Sequence, residues 1–327
     1  MSKNVLLSRV AESIYWMARY VERVENTVRL MNVNWHLMLD LPQIQTNEWE
    51  SLLHVSGDFE EFKETYDEVN ADNVMRFMTF DLSNPNSMYS CLLAARENAR
   101  SVRDVVTSDM WETLNAIYLT VKAYDSDGSD FYANPHNFYQ EIQCEISNFY
   151  GITGANMYRG QSWSFFNIGV MLERADKTTR ILDVRYFLLL PSLRAVGTAL
   201  DDLQWSALLR SVSSIEPFAK IYGPVEAKAI IEYLLLDIQN PRSLLHCIDV
   251  ADREIRDLNG TPLGMYTNDA ERRSGQLLSE LRYLSVEEVI RKGLHESLDD
   301  LQISMNQLHA SLSERYFNPD AINERML

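Results

Sequence analysis

A chain of 327 residues with a formal net charge of −17 and a pI near 4.8 is poorly suited to tracking a nucleic-acid backbone or an anionic membrane, since both call for clustered Lys and Arg. With 46% hydrophobic residues and only 12 Gly and 9 Pro, the composition is globular and short of turn-formers, which favours helices. No apolar run approaches the roughly 20 residues that span a bilayer, and the stretch from Met1 to Val5 lacks the regions of a signal peptide, so a cytoplasmic protein is expected.

Nothing breaks the chain from Val5 to about Leu39, where Ile14, Met17, Ala18, Val21, Val24, Val28, Met31 and Trp35 recur at helical spacing and predict one long helix. Trp16, Tyr20, Thr27 and Leu30 form a second, semi-apolar stripe, the pattern of a helix enclosed by neighbours. Shorter helices are expected across residues 47 to 80, one opened by Asp58 with Glu61 at capping-box spacing. Asn84-Pro85 and Asn134-Pro135 each join a capping side chain to a first-turn proline, predicting one helix through about Asp104 and another ending near Gly151. Ser285 with Glu288 opens an expected final helix through about Tyr316. Its buried ridge is Leu294, Leu298, Leu301, Met305, Leu308 and Leu312, and the tail after Asn318 is expected to fray.

An internal repeat organises these elements. The segment from Ser13 to Met31 aligns with that from Ser164 to Leu182, placing Glu22, Arg23, Glu25, Thr27 and Arg29 opposite Glu173, Arg174, Asp176, Thr178 and Arg180 at an offset of 151. Further on, Asp81, Asn84, Pro85, Ser87, Cys91 and Arg100 match Asp237, Asn240, Pro241, Ser243, Cys247 and Arg256 at an offset of 156. The expected architecture is therefore all-α: one large helical bundle of two tandem, duplicated halves, approximately 1–150 and 151–327, with no flexible linker between them.

Each Glu-Arg pair is adjacent in sequence, so the two side chains leave the helix about 100° apart and each needs its own partner. Glu22, Glu25 and Arg29 share one edge, as do Glu173, Asp176 and Arg180, and Arg29 can bridge Glu25 at i,i+4. Arg23 falls beside Trp16, Tyr20 and Thr27, where a guanidinium can stack on a ring. Such charges read either as ion pairs that fix helix register between the halves or as two related clusters lining a central cleft for an anionic or zwitterionic ligand. Arg96, Arg100 and Arg103, with Glu97 among them, form a basic ridge at i, i+4 and i+7, either a solvated ridge paired with acids or an anion site. The ligand-binding candidates are thus Glu22, Arg23, Glu25, Arg29, Glu173, Arg174, Asp176, Arg180, Arg96, Glu97 and Arg100.

Cys91, Cys144 and Cys247 are far apart and read as reduced core thiols, and the six histidines show no metal-ligand spacing. HExxH, ExxH, P-loop, GxGxxG and GxSxG signatures are missing, so no metal or cofactor is expected. His295-Glu296 is the most suggestive pair for acid-base work.

The residues from Leu7 to Asn26 resemble the opening of the bacterial alpha-E family, which takes its name from its helices and Glu-Arg motif. The likeness continues through Ala95 to Arg103, Trp111 to Asn115 and Leu172 to Asp176, nearly the whole chain. It implies a helical protein that works with ATP-grasp and transglutaminase-like proteins in peptide synthesis, ligation or modification. By the same resemblance Glu22, Arg23, Glu173 and Arg174 are its candidate functional positions. Val170 stands where a basic residue is expected before the second Glu-Arg pair, which marks the second site as the weaker. Three readings follow: a helical component that binds a partner enzyme or its peptide or amino-acid substrate, an enzyme using Glu-Arg clusters for acid-base chemistry, and a purely structural scaffold.

Overall fold

The computed structural model of the chain describes residues 6–40, 45–127, 129–188 and 199–318, and among them only helices and their connections occur, with no strand. The first half runs α1 (Ser8–Asp40), α2 (Gln45–Ser56), α3 (Phe59–Thr65), α4 (Ala71–Thr79), α5 (Met88–Ser101), α6 (Ser108–Asp127), α7 (Ser129–Ala133) and α8 (Pro135–Asn156). Then come α9 (Gln161–Leu188), α10 (Ala199–Ser211), α11 (Ile215–Ile221), α12 (Ala227–Leu235), α13 (Leu244–Asn259), α14 (Asp269–Tyr283), α15 (Val286–Lys292) and α16 (Leu294–Leu312), closed by a π-helical turn, Ser313–Phe317.

The two long helices α1 and α9 lie side by side at the centre and run in the same direction. The Leu6 amide donates to Gln161 Oε1 (2.8 Å) near their starts, and Glu22 meets Arg174 further along. Ile14, Met17, Val21, Val24, Val28 and Met31 are all fully buried along α1, as the helical spacing predicts, each contributing about 1.5–3 kcal/mol of apolar burial. Close approach is possible because Gly169 of α9 faces α1: a Cβ there would stand 2.5 Å from the Tyr15 carbonyl oxygen and 3.0 Å from Ala18 Cβ. Around this pair, α5 and α8 pack against α1 and are covered by α6, and α13 and α16 pack against α9 and are covered by α14.

Local geometry recurs at the aligned positions. Asn84 Nδ2 donates to the Phe77 carbonyl (3.2 Å) and Asn240 Nδ2 to the Tyr233 carbonyl (3.1 Å). Tyr66 donates to Asp81 and Tyr222 to Asp237, while Ser87 and Ser243 cap α5 and α13. At both places the asparagine thus ties the proline turn to the preceding helix, so the turn delivers its middle residue, Asn86 or Arg242, towards the central pair.

The structure also departs from the expectations at identifiable points. Asn84-Pro85 belongs to a turn, and α5 begins three residues later under Ser87, because the Asn84 side chain is engaged backwards to Phe77. Helix α5 stops at Ser101 instead of reaching Asp104, whereas α8 is capped by Asn134 as expected but continues past Gly151 to Asn156. Asp58 occupies a cap position without a capping bond, since its Oδ1 accepts from Asn86 Nδ2 (2.7 Å). The Ser285 capping box forms, but the final helix is split at Gly293, whose φ of 108° no helix accommodates. Cys91 and Cys247 are buried, but Cys144 sits on an outer face of α8 and is exposed. The tail after Asn318 lies outside the described residues.

Candidate functional site

The adjacent Glu-Arg pairs of α1 and α9 meet at one level of the bundle, and each glutamate is held by the other helix's arginine. Arg174 donates to Glu22 through Nε (2.8 Å) and Nη2 (3.0 Å), and Arg23 donates to Glu173 through Nε (2.7 Å) and Nη2 (3.2 Å). Both are fork-to-fork contacts, the geometry in which guanidinium and carboxylate bind most strongly. Both glutamates are fully buried, while the arginine side chains are 15–16% exposed.

Each carboxylate then takes a second cation. Arg19, one turn before Arg23, donates from Nε to Glu173 Oε2 (2.7 Å). Its aligned position is Val170, which cannot do the same for Glu22. Arg242 supplies the missing charge from the proline turn: its Nη1 lies 3.4 Å from Glu22 Oε1, and its Nη2 binds both oxygens of Glu25 at 2.9 and 2.7 Å. Tyr150 completes Glu22 by donating to Oε2 at 2.6 Å. Around these contacts, Arg29 pairs with Glu25, and Arg180 and Lys177 pair with Asp176. Glu22, for which Val170 offers no cation, is therefore given its second arginine by a different part of the chain.

Sequence reasoning missed both Arg19 and Arg242. The signal for Arg242 lay in the repeat itself, where Pro85-Asn86-Ser87 faces Pro241-Arg242-Ser243 and a neutral residue is exchanged for a charged one. Asn86 performs the smaller version of the same task, accepting from Arg23 Nη1 (2.6 Å) and donating to Asp58.

The electrostatics make these groups poor proton carriers. Burial by itself raises the Glu25 pKa, but the Arg242, Arg29 and Arg174 guanidiniums overcome it and hold the group down at about 2. Glu173 is likewise held well below the ordinary carboxylate range, with Arg19 and Arg23 outweighing burial. The Cys91 and Cys247 thiols are pushed up to about 12 by burial, which removes them as nucleophiles near neutral pH.

The other sequence candidates lie apart from this lattice. Arg96 donates to Asn115 (2.7 Å) and pairs with Glu97, Arg100 pairs with Glu97, and Arg103 stacks on Trp111, so the basic ridge is paired from within α5 and from α6. Arg23 stacks on Tyr20, but Trp16 lies under Arg19. His295 is bound to Asp183 (2.8 Å). No group of three or more His, Cys, Asp or Glu side chains able to hold a metal occurs among the described residues. Of the α1 and α9 candidates, Arg29 borders a cavity, between α1, α8 and α10.

Behind the lattice, the Tyr15 hydroxyl is 2.9 Å from His309 Nδ1, and the rings stack. Burial and then the Arg19 guanidinium pull the His309 pKa from 6.5 to about 4, so the ring is neutral at pH 7 and accepts from Tyr15. Between pH 4 and 6.5 the unfolded chain binds more protons at this position than the folded one, so its contribution to stability falls as pH drops through that window. Proton NMR of the ring is expected to show a titration midpoint near 4, and His309→Gln is expected to flatten the urea midpoint's dependence on pH between 6.5 and 4. A ring titrating near 6.5 would contradict this packing.

Residues 6–317 match the family described as "A predicted alpha-helical domain with a conserved ER motif", and the reciprocal Glu22-Arg23 and Glu173-Arg174 pairs are Glu-Arg motifs of that kind. The chain belongs to the Alpha-E family. Among curated proteins it is similar to the uncharacterized proteins Rv2567 of Mycobacterium tuberculosis H37Rv and Mb2597 of Mycobacterium bovis, each 26% identical over 329 residues. The match takes in 94% of this Alpha-E chain but spans only about a third, 36%, of each relative. No solved structure matches it. Among the described residues no helix is long and apolar enough to cross a membrane.

Proposed function

We propose that this Alpha-E chain is the helical component of an ATP-grasp- and transglutaminase-associated system for peptide synthesis, ligation or modification in the cytoplasm, binding the partner enzyme or its peptide or amino-acid substrate without performing the chemistry. The observation that carries this reading is the saturation of the Glu-Arg lattice: Glu22 and Glu173 are fully buried, each is bound by two arginines, and neither has room to exchange a proton with a substrate. The lattice acts as a clamp that joins two duplicated halves. The recurring asparagine, tyrosine and serine contacts at offset 156 support the duplication. That the curated relatives are nearly three times as long as the matched region supports a unit that works alongside further polypeptide.

The test is a reconstitution of the purified chain with the ATP-grasp and transglutaminase-like proteins of its own genome, followed by sedimentation and by peptide-product mass spectrometry. A stoichiometric complex that forms product faster than the enzymes alone is expected. Absence of both complex and effect would leave only a scaffold, and turnover by the isolated chain that disappears in a folded Glu22→Gln variant would make it an enzyme.

A further inference from the structure

In a chain of net charge −17, the carboxylate-free stretch of wall described along the cavity between α1, α8 and α10 carries two arginines. The cavity has a volume of about 620 Å³, within the usual range for small-molecule sites, and no Asp or Glu is among the described residues that line it. Two arginines face it from different helices. Arg210 of α10 is exposed and has no ion pair among the described residues. Arg29 of α1 is oriented by its bonds to Glu25 and to Ser213, whose positive φ of 51° turns its hydroxyl to the guanidinium. Those contacts use three of the five guanidinium N–H groups and leave two.

Neutral hydrogen-bonding groups line the same cavity. Asn32 commits its Oδ1 to His136 (2.8 Å), which leaves its amide donors, and Gln143 and Ser206 supply further polar atoms. His36, whose Nε2 lies 3.0 Å from His136 Nδ1, also borders the cavity, and the rest of the described wall is apolar, with Leu37 buried and Leu203 44% exposed. A free inorganic anion would leave that hydrocarbon wetted, and a cation would meet two arginines and no carboxylate among the described lining residues.

We propose that this cavity binds a small monocarboxylate with an apolar body, its carboxylate between Arg210 and Arg29 and its hydrocarbon against Leu37 and Leu203. One negative charge suits the site, because the Arg29 charge is already set against Glu25, while Arg210 has no ion pair among the described residues. A bidentate contact to Arg210 fixes orientation, and the apolar wall selects against bare anions.

The experiment is calorimetric titration of the purified chain with three probes: N-acetyl-L-leucine, its uncharged amide, and inorganic phosphate. Saturable binding of N-acetyl-L-leucine is expected, with the amide and phosphate each much weaker. Loss of a charge-assisted contact in Arg210→Gln should weaken binding roughly tenfold to a hundredfold. Leu203→Asp should abolish it, and both positions are exposed, so folding is spared; circular dichroism checks this. Equal binding of the amide, phosphate binding as tight as the carboxylate, unchanged affinity in Arg210→Gln, or no saturation by N-acetyl-L-leucine would each overturn the proposal. The titration uses the chain alone, so its result is independent of whether an ATP-grasp partner binds.

Discussion

Truncating Glu22 to alanine is expected to lower folding stability by about 3–5 kcal/mol, the usual consequence of removing one partner from a buried ion pair. The loss arises less from the bond removed than from what is left behind: the Arg174 fork and the Tyr150 hydroxyl would face a cavity without the carboxylate they bind, and Arg242 Nη1 would keep only Asn26 Oδ1. Glu97→Ala provides the contrast. Glu97 also pairs with two arginines, Arg96 and Arg100, but its side chain is 42% exposed and water replaces it, so a change below about 1 kcal/mol is expected. Urea unfolding of both variants separates the cases, and a Glu22→Ala loss as small as that of Glu97→Ala would mean that the lattice does not hold the bundle. The acid limb of stability has the same origin. Glu25 titrates at about 2 when folded and near 4.5 when unfolded, so its contribution is complete above pH 4.5 and is lost as pH falls towards 2.

The second large effect is a reversal of sign between two glycines in long helices. Gly151→Ala in α8 is expected to stabilise by about 0.5–1 kcal/mol, because helical alanine restricts the unfolded chain and the added methyl meets nothing within 4 Å. Gly169→Ala in α9 offers the same propensity gain but sets its Cβ 2.5 Å from the Tyr15 carbonyl oxygen. That atom is backbone of the neighbouring central helix and cannot rotate away, so α1 and α9 must separate, and a net loss of roughly 1–3 kcal/mol is expected. Gly169→Leu enlarges the loss. Thermal unfolding of the two alanine variants decides the matter, and a stabilised Gly169→Ala would contradict the close approach of α1 and α9.

Periodic features of the fold were legible in the sequence, and features that depend on a side chain reaching another element were not. The stripe from Ile14 to Met31 and the ridge from Leu294 to Leu312 are buried as their spacing implies, since burial of a helix face is written in local periodicity. Asp58 and Asn84 look like helix caps because cap chemistry is local, yet each is drawn to a non-local partner, Asn86 and the Phe77 carbonyl. At the site, adjacency of Glu and Arg correctly implies that each needs a separate partner, but no helical geometry within one segment says that the partner is the other long helix's arginine. Arg242 was harder still, because it acts from a turn 220 residues away in sequence from Glu22. Its substitution for Asn86 in the repeat was visible, and so was the loss of a basic residue at Val170. Only the packed structure shows that the first makes good the second.

The reciprocal exchange of arginines between α1 and α9 is tested most directly by a double-mutant cycle on Glu22→Ala and Arg174→Ala, read by urea unfolding of both single variants and the double. A coupling energy of about 2 kcal/mol is predicted, with the double variant more stable than the sum of the single losses implies, because the second truncation removes the charge that the first one strands. Losses that add to within roughly 0.5 kcal/mol would show that Glu22 and Arg174 do not hold one another.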